Sequence, residues 1–383
     1  MRLLRAKGSR NDASISEIFL TEQRCMTDPS MNSFSKKIIS WYQLNKRELP
    51  WRDSKDAYLI WLSEIILQQT RVEQGVSYYL KFAKEFPTVK QLAKAENEKV
   101  MKLWQGLGYY SRARNLHTTA KNITDNYKGK FPNQYAELLL LKGVGEYTAA
   151  AIASFAFDKP YAVVDGNVYR VISRVFGIET PIDSTQGKKE FYSLANELLD
   201  KKNSAMHNQS IMEFGAICCK PVSPNCSICP LNTMCFAYAK KRISEFPVKS
   251  KKTKVRNRYF NYIVLNHKST TAIKKRVEKD IWTNLYDFPL IETDKELNED
   301  QFLKSTEWKR FIKTLNYSIK SISQRYKHVL SHQNIYARFW EIDCKDSFNK
   351  LIQKNCITIK KRDIHKYAVP KLIENFIEKR HWE

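Results

Sequence analysis

The sequence predicts a mainly helical N-terminal domain followed by a smaller α+β domain, and three observations carry this prediction. Apolar residues recur with helical period from Phe34 to about residue 239, for example in 58–85 and 90–104, without a long alternating segment between them. Beyond Arg258 the pattern changes to short segments rich in aromatic and β-branched residues. Four cysteines lie close together where the helical part ends.

Composition and patterning divide the chain into four segments. Residues 1–33 mix charges without a period and are expected to form a disordered extension. Residues 240–258 hold nine Lys or Arg against one acid, which is typical of a solvated basic linker. The helical domain is 34–239 and the α+β domain is 259–383. In the latter, strands are expected at 259–266, 271–277, 281–291, 334–343 and 357–360, and helices at 298–315 and 369–380.

Charge and composition narrow the classes of function. The 383 residues leave room for two or three domains, and no run approaches the roughly eighteen apolar residues of a membrane span. A formal net charge of +25 favours a polyanionic partner, with nucleic acid first and an anionic membrane surface second. No secretory signal is recognisable, so we expect an intracellular protein with reduced cysteines.

The four clustered cysteines are Cys219, Cys226, Cys229 and Cys235. Four thiolates at short, unequal spacings predict a [4Fe–4S] cluster, which takes its sulfur ligands from one compact loop. Zinc is the alternative, although structural zinc sites usually pair two-residue spacings and one such pair occurs here. Disulfides are disfavoured in a chain that is neither short nor cysteine-dense. The other cysteines fit no ligand pattern and are interpreted as ordinary buried or free thiols, with Cys218 simply the neighbour of a ligand: Cys25, Cys218, Cys344 and Cys356.

Two acidic residues stand out by their surroundings. Asp165 precedes a segment of helical period, so it is predicted to be an N-cap, where backbone N–H bonds and the positive helix end hold a carboxylate ionised. Glu64 lies in an otherwise apolar helical stretch beside Ile60 and Trp61, where it is expected to retain a proton near neutral pH. The alternatives are a plain capping aspartate and a helix-surface glutamate.

A pair of glycines separates two helical stretches at Gly143-Val144-Gly145. Glycines let the backbone turn tightly and present N–H groups to a phosphate at a helix N-terminus. A plain helix–helix turn is the alternative, because such pairs are common. The basic composition and the nearby Asp165 favour the phosphate-binding interpretation.

Further motifs follow one another along the helical part: Trp41-Tyr42, Arg47-Glu48-Leu49-Pro50-Trp51-Arg52, Ser63-Glu64-Ile65-Ile66-Leu67-Gln68-Gln69-Thr70 and Trp104-Gln105-Gly106-Leu107-Gly108-Tyr109-Tyr110-Ser111. Together with the glycine pair, Asp165 and the cysteine loop, they resemble the adenine DNA glycosylases of the MutY type. That family belongs to the helix-hairpin-helix superfamily, which also contains endonuclease III. The resemblance covers 34–240 strongly and 259–383 more loosely.

The resemblance implies a helix-hairpin-helix glycosylase domain that carries the iron–sulfur cluster in its loop at 219–235. It also implies a monofunctional enzyme that flips adenine out of A:8-oxoguanine or A:G pairs in duplex DNA and hydrolyses the N-glycosyl bond. Glu64 would be the general acid and afterwards the base that orients water. Asp165 would stabilise the positively charged sugar, and Asn167 would orient Asp165 and the water. Tyr147 takes the position at which bifunctional relatives place a Schiff-base lysine, an intermediate that a phenol cannot form.

The resemblance further implies which residues contact the substrate. A flipped nucleotide leaves a gap in the duplex, and side chains that fill the gap offset the cost of unstacking. Trp51 fits an ordinary core position equally well. The matched residues line the adenine pocket (Arg47, Trp51 and Gln209), fill the gap (Gln69, Thr70 and Tyr109) or hold the DNA backbone at the hairpin (Gly143 and Gly145).

Residues 259–383 resemble a Nudix-related module that recognises 8-oxoguanine opposite the adenine. The corresponding loop is His328–His332, in which Leu330 stands where the family more often has Phe, while Ser331 and His332 remain. A catalytic Nudix hydrolase needs a glutamate-rich metal-binding helix, and the sequence of this segment has no such pattern. The module is therefore expected to sense damage.

The expected partner is double-stranded DNA with an A:8-oxoguanine or A:G mispair, and no membrane partner is expected. The protein is expected to act as a monomer in the cytoplasm or nucleoid of a bacterium. Two other functions stay open. A glycosylase/lyase like endonuclease III would nick the strand without heat or alkali. The second open function is that of a non-catalytic iron–sulfur scaffold protein that binds DNA. The joint presence of four residues argues against this function: Glu64, Tyr147, Asp165 and Asn167.

Overall fold

The computed structural model describes residues 28–250, 255–313, 315–347, 356–380 and 382. The chain divides into two compact units. The first unit joins the residues up to Glu48 with Glu146–Ser250, and the second joins Leu49–Gly145 with Lys251–Glu383. The helical segment 34–239 therefore contributes to both units, which an assignment by order along the chain does not capture.

Helices account for the regular structure before residue 250, where no strand occurs between 28 and 250. Short 3₁₀ turns cover Asn232–Met234, Ile243–Glu245 and Lys361–Lys366, and a π-helical turn covers Phe214–Cys218. The helices are α1 (Asp28–Asn45), α2 (Ala57–Leu67), α3 (Val72–Glu85), α4 (Val89–Lys94), α5 (Asn97–Leu103), α6 (Ser111–Asn126), α7 (Tyr135–Leu139), α8 (Glu146–Phe157), α9 (Gly166–Phe176), α10 (Thr185–Leu198), α11 (Ser204–Glu213), α12 (Phe236–Ala239), α13 (Glu299–Lys304), α14 (Thr306–Ile312) and α15 (Lys371–Glu378).

The first unit is built around one apolar core that α1, α9 and α10 share. Phe34 of α1 is fully buried in the same cluster as Val171 of α9 and Phe191 of α10. The hydroxyl of Ser35 adds a polar link by donating to the carbonyl of Leu198 over 2.7 Å. This packing fixes the start of α9, where Asp165 lies.

The start of the chain differs from the predicted extension. Helix α1 begins at Asp28, so residues 28–33 are helical, and residues 1–27 lie outside the described part. Pro29 is compatible with this start, because the first turn of a helix needs no backbone N–H donor.

The basic segment 240–258 is not a solvated connector over its first half. Phe246 is 2% exposed, and the Ile182 amide donates to the carbonyl of Val248 over 3.0 Å. The Ser250 amide donates to Asp183 over 3.0 Å. Residues up to Ser250 are therefore docked on the first unit, and 251–254 lie outside the described residues. The prediction of a solvated linker rested on the number of charged residues, which does not show that the buried side chain of Phe246 anchors this segment.

The second unit contains an eight-stranded sheet that forms the C-terminal module. Its long strands β1 and β7 run parallel, and the other pairs are antiparallel. The order is β3-β2-β1-β7-β5, with β4 paired to β1, β6 to β7 and β8 to β2. The strands are β1 (Arg256–His267), β2 (Thr270–Lys275), β3 (Tyr286–Asp287), β4 (Leu290–Thr293), β5 (Tyr317–Ile322), β6 (Tyr326–Val329), β7 (Gln333–Cys344) and β8 (Cys356–Lys360).

Helices cover both faces of this sheet. Because side chains alternate along a strand, Trp340 and Phe339 point to opposite faces. Trp340 packs in a cluster with Phe302 of α13 and Trp308 of α14. Phe339 stacks on Phe376 of α15, with ring centroids 3.9 Å apart. The predicted fold class, a helical domain followed by an α+β module, is confirmed.

Candidate active site and its supporting loops

Asp165 is the N-cap of α9, as the sequence predicts. One carboxylate oxygen accepts the amides of Asn167 and Val168, both over 2.8 Å, and the other accepts the Asn167 side-chain amide over 2.7 Å. Arg170 donates to the side-chain amide oxygen of Asn167 over 2.8 Å. The carboxylate therefore has one orientation, which is set by the first turn of its own helix.

The ionisation of Asp165 differs from the sequence expectation. Burial raises the pKa of this carboxyl above its ordinary value, while the Val168 amide and the Asn167 donors act in the opposite direction. The N-cap bonds alone would hold the group ionised, but loss of hydration outweighs them. Burial thus disfavours the ionised form of Asp165, and its three donors reduce this penalty.

The packing behind Asn167 requires a glycine. A Cβ atom added at Gly215 would lie 2.6 Å from the Asn167 Cβ, so a side chain there would displace Asn167. The Gly215 carbonyl also accepts from Arg170 over 2.6 Å. Sequence reasoning missed both Gly215 and Arg170, which hold Asn167 in place.

Tyr147 lies in the first turn of α8 and is half-buried. The two residues after it, Thr148 and Ala149, are fully buried, so the helix presents one face to the core and leaves the Tyr147 position at its edge. A phenol, and no amine, therefore stands at the start of this helix.

The Arg47 side chain is held by a residue of α11, and Gln209 of α11 is held by a residue of α1. Arg47 donates through its guanidinium to both oxygens of Glu213, each over 2.8 Å, and through its amide to the same carboxylate over 3.0 Å. The Gln209 side-chain oxygen accepts from Tyr42 over 2.8 Å. Gln209 and Glu213 are four residues apart and share one helix face. Glu213, which is 2% exposed, is a supporting residue that the sequence analysis missed.

Trp51 belongs to the second unit, whereas Arg47 and Gln209 belong to the first. It is 9% exposed and makes an edge contact with Tyr79, with ring centroids 5.2 Å apart. Within its own unit Trp51 therefore has the environment of a core residue, the alternative that the sequence left open.

Glu64 lies in the middle of α2 and is 7% exposed. Its neighbours Trp61, Ser63 and Ile65 are buried as well, so the helix-surface alternative is wrong. Among the predicted residues, the second unit also contains Gln69, Thr70, Tyr109, Gly143, Gly145, Ser331 and His332, and the first unit contains Tyr147, Asp165, Asn167 and the four cysteines.

The glycine pair forms a tight turn between α7 and α8. Gly143 has φ = 81°, and a Cβ there would lie 2.8 Å from the Asn115 Cβ. The Val144 amide donates to the Leu141 carbonyl over 3.0 Å and closes the turn. A Cβ at Gly145 would meet nothing within 4 Å. The backbone conformation therefore requires a glycine at position 143. At position 145 there is room for a larger side chain.

Two loops of the second unit carry the predicted gap-filling residues. Gln69 and Tyr109 both have left-handed backbones, with φ of 54° and 47°, and Tyr109 is 46% exposed. We call the second loop, Trp104–Tyr110, the wedge loop. Left-handed backbones are uncommon for residues other than glycine. Where they occur they are often found at functional positions, which fits the predicted role of both loops.

Arg112, a buried arginine that the sequence analysis missed, joins the two loops. It donates to the carbonyls of Ile66 and Gln68 at the end of α2, over 2.8 and 2.6 Å, and to that of Gly108 over 3.2 Å. It is 8% exposed, and burial lowers its pKa to about 10. The helical period would have found it, since Arg112 precedes Leu116 by four residues on the buried face of α6.

The four predicted ligand cysteines line one cavity of the first unit with about 390 Å³ of empty space. Cys218, the neighbour of Cys219, lines it too, and its hydrogen bond with Cys229 lowers the pKa of Cys229 to about 7. Arg174 donates to the Cys219 sulfur over 3.4 Å. None of the seven cysteines in the described residues forms a disulfide.

The sulfurs are spread around this cavity. In the described part of the chain, no three His, Cys, Asp or Glu side chains converge closely enough to hold a single metal ion. A zinc ion and a [4Fe–4S] cluster would each need their four sulfur ligands closer together than they lie here.

The loop His328–His332 connects β6 and β7 in the C-terminal module. It is a tight hairpin, because the Leu330 amide donates to the Gln333 carbonyl over 2.8 Å. Ser331 and His332 are exposed at its tip, with Ser331 Oγ and His332 Nδ1 3.3 Å apart. The two polar residues are therefore accessible to a ligand at the tip of a tight hairpin.

Comparison with known proteins identifies the family. A model described as "HhH-GPD superfamily base excision DNA repair protein" matches residues 62–199, and a "NUDIX domain" model matches 261–379. The adenine DNA glycosylase of Buchnera aphidicola subsp. Schizaphis graminum (strain Sg) is 33% identical over 353 residues, 90% of this chain and 98% of that relative. The chain belongs to the adenine DNA glycosylase family. The Schizosaccharomyces pombe adenine DNA glycosylase is 31% identical over 80% of each chain.

Solved structures agree on the helical fold of this adenine DNA glycosylase family member. A thermostable thymine-DNA glycosylase is 31% identical, with a TM-score of 0.53, and covers 56% of this chain and 99% of that one. An endonuclease III–DNA covalent intermediate is 23% identical, with a TM-score of 0.50 over 57% of this chain and 99% of that one, and supports the fold alone. The predicted family resemblance is confirmed. Among the described residues, no helix combines the length and apolarity needed to span a bilayer.

Proposed function

We propose that this protein is a monofunctional adenine DNA glycosylase that hydrolyses adenine from A:8-oxoguanine and A:G pairs in duplex DNA. The observation that carries the proposal is Asp165, a carboxylate fixed by three donors at a helix N-terminus in a chain of this family. A fixed anion of this kind stabilises the positive charge that develops on a sugar as its base departs. The basic net charge of +25 supports binding to the DNA backbone.

The proposed reaction uses two carboxyl groups in different states. Glu64, buried in an apolar helix, donates a proton to a ring nitrogen of adenine, so that the base leaves with the electron pair of the broken N-glycosyl bond. Asp165, ionised, stabilises the cationic sugar until water adds to C1′. The ionised Glu64 then accepts a proton from that water, which restores the enzyme. Asn167 holds Asp165 in place throughout.

Tyr147 supports the monofunctional character of the proposed enzyme. A lyase reaction passes through a Schiff base, and its nucleophile is an amine. The start of α8 presents a phenol, so the abasic strand should remain intact after adenine leaves.

We further propose that Cys219, Cys226, Cys229 and Cys235 hold a [4Fe–4S] cluster. Their thiols line one cavity, and Arg174 donates to Cys219, as a donor to a thiolate ligand would. When bound, the cluster supplies a covalent cross-link of the loop 219–235. The spacing of the four cysteines favours the cluster over zinc, because only one two-residue pair occurs among them.

The C-terminal module is proposed to recognise 8-oxoguanine with the exposed tip residues Ser331 and His332. Both offer hydrogen bonds to the altered base edge from a tight hairpin. Because the substrate is chromosomal DNA, the proposed place of action is the bacterial nucleoid.

The test is base release by the purified full-length chain. In a duplex with one A:8-oxoguanine pair, we expect free adenine and a strand that breaks only after hot alkali, with no release from an A:T duplex. Strand breaks without alkali, together with borohydride trapping, would instead identify a lyase. Tight DNA binding without adenine release would identify a scaffold protein.

A further inference from the structure

The wedge loop needs support to keep its conformation. Gly106, Gly108 and Tyr109 have φ angles of 90°, 78° and 47°, three left-handed residues within four positions. A tyrosine pays a steric penalty for such a backbone, so neighbouring groups must stabilise the loop. What holds the loop also decides where the exposed Tyr109 side chain is presented.

One side of the wedge loop is held by the helical part of the second unit. The Trp104 indole donates to the Gly108 carbonyl over 3.0 Å, and Arg112 donates to the same carbonyl over 3.2 Å. The Tyr78 hydroxyl donates to the Gln105 carbonyl over 2.6 Å. These bonds fix the backbone at both ends of the loop.

The other side of the wedge loop is held by the C-terminal module through one side chain, Gln105. Its amide nitrogen donates to Glu374 of α15 over 2.8 Å, and its amide oxygen accepts the Val369 amide over 3.3 Å. Lys102 donates to the same oxygen over 2.8 Å and to the Tyr367 carbonyl over 3.2 Å. Both ends of the Gln105 amide are therefore bonded to the module.

We propose that Gln105 is a positioning residue that couples the C-terminal module to the wedge loop. The inference rests on the proposed function, in which the module reads 8-oxoguanine and Tyr109 fills the gap left by the flipped adenine. When the module binds 8-oxoguanine, the position of α15 is fixed. Glu374 of α15 in turn fixes Gln105, the residue before Gly106. Recognition of the damaged base thereby stabilises the loop conformation that inserts Tyr109.

The contacts of the module offer a matched control. Lys275 of β2 forms an ion pair with Glu98 of α5, which also joins the module to the helical part but does not touch the wedge loop. Lys275→Ala therefore removes a module contact of similar kind while leaving Gln105 intact. A role in general module docking would make the Gln105 and Lys275 variants behave alike.

The experiment compares Gln105→Ala, Glu374→Ala, Glu374→Gln and Lys275→Ala in the full-length chain. Single-turnover adenine release is measured on A:8-oxoguanine and A:G duplexes, and 2-aminopurine fluorescence in place of adenine reports unstacking. Gln105→Ala and Glu374→Ala should each lower the ratio of the two rates about tenfold, the effect of losing one hydrogen bond to a charged group. Glu374→Gln, which keeps an acceptor oxygen, and Lys275→Ala should stay within about twofold of wild type.

A reduced ratio with reduced 2-aminopurine unstacking supports the proposal, and Glu374→Ala carries the test if Gln105→Ala does not fold. The proposal is overturned if folded Gln105→Ala or folded Glu374→Ala keeps the wild-type ratio of the two rates. It is also overturned if Lys275→Ala lowers this ratio as much as those variants do. If the wild-type chain releases no adenine at all, the proposed function itself has failed, which is a different result.

Discussion

Asp165 has a pKa that burial raises and that three hydrogen-bond donors lower. The two effects act on the same carboxyl, so its protonation depends on how well the donors are kept in place. Asn167 supplies two of the three donors, through its amide and its side chain. The rate of any step that needs the ionised carboxylate should therefore respond to Asn167.

Asn167→Ala removes the side-chain donor and should shift the pH dependence of adenine release. Without that donor the carboxylate is less stable, so the pKa of Asp165 rises further. The carboxyl then becomes protonated, and inactive, at a higher pH, which moves the acid limb of the single-turnover profile upward. The profiles of wild type and variant from pH 4 to 8 provide the measurement.

The control for this shift is Ser173→Ala, on the same helix but bonded to the Arg170 carbonyl and not to Asp165. It should leave the acid limb in place. An acid limb that stays at the wild-type pH in Asn167→Ala would show that this donor does not set the ionisation of Asp165.

Glu64→Gln and Asp165→Asn test the two proposed chemical roles. Each should lower single-turnover adenine release by about two orders of magnitude or more, because one removes the proton donor and the other the stabilising anion. DNA affinity should change little, since it comes mainly from contacts with phosphates. Binding and release are measured on the same A:8-oxoguanine duplex, and near-normal release would reject the role of the substituted residue.

At the scale of elements, the turn between α7 and α8 gives two glycines different roles. Gly143→Ala should destabilise the protein by about 1–2 kcal/mol, because an L side chain is strained at φ = 81°. It should also weaken DNA binding if the turn presents its amides to a phosphate. Gly145→Ala is the matched control, since a Cβ there meets no atom within 4 Å. Thermal unfolding and DNA titration of both variants decide, and equal effects would contradict the assignment.

The cysteine loop is an element with little regular structure, so a bound cluster would contribute much of its order. Cys226→Ser should lower iron content and DNA binding more than the chemical step. The wild-type protein should be brown, with about four iron atoms per chain. Cys356→Ser, on β8, is the control and should keep its iron. A colourless, active wild-type protein that contains zinc would favour the alternative metal.

Several elements were shorter or more numerous than their sequence patterns indicate. The stretch 58–85 is two helices, because Gln69 has a left-handed backbone between them. The segment 298–315 is also divided, at Ser305, whose hydroxyl caps α14. In 281–291, buried Trp282 and Phe288 resemble strand residues although much of the segment is loop.

Strands β5 and β6 were not predicted from the sequence. Their residues, Tyr317–Ile322 and Tyr326–Val329, include two exposed lysines and one exposed serine that weaken the apolar alternation. Both strands form because β7 offers a partner edge along its length. Pairing with a distant strand is not visible in a local pattern.

At the scale of the whole molecule, the C-terminal module and residues 49–145 form one compact unit. Removing the chain after residue 250 should leave measurable adenine release but erase most of the preference for 8-oxoguanine over guanine. The combined change Ser331→Ala and His332→Ala should have a milder effect, since such polar contacts are worth about 1–3 kcal/mol each. The ratio of rates on A:8-oxoguanine and A:G is measured for both, and an unchanged ratio in the truncated chain would place recognition in the helical part.

The sequence by itself determined the fold class, the N-cap position of Asp165, the burial of Glu64 and the family, because these depend on local periodicity and on motif order. The tertiary structure alone decided that burial outweighs the N-cap bonds at Asp165 and that residues up to Ser250 dock on the first unit. It also decided that Arg112 and Gln105 hold the wedge loop. These are contacts between residues far apart in the chain, and the free energy of hydration and hydrogen bonding at such contacts depends on neighbours that no local pattern names.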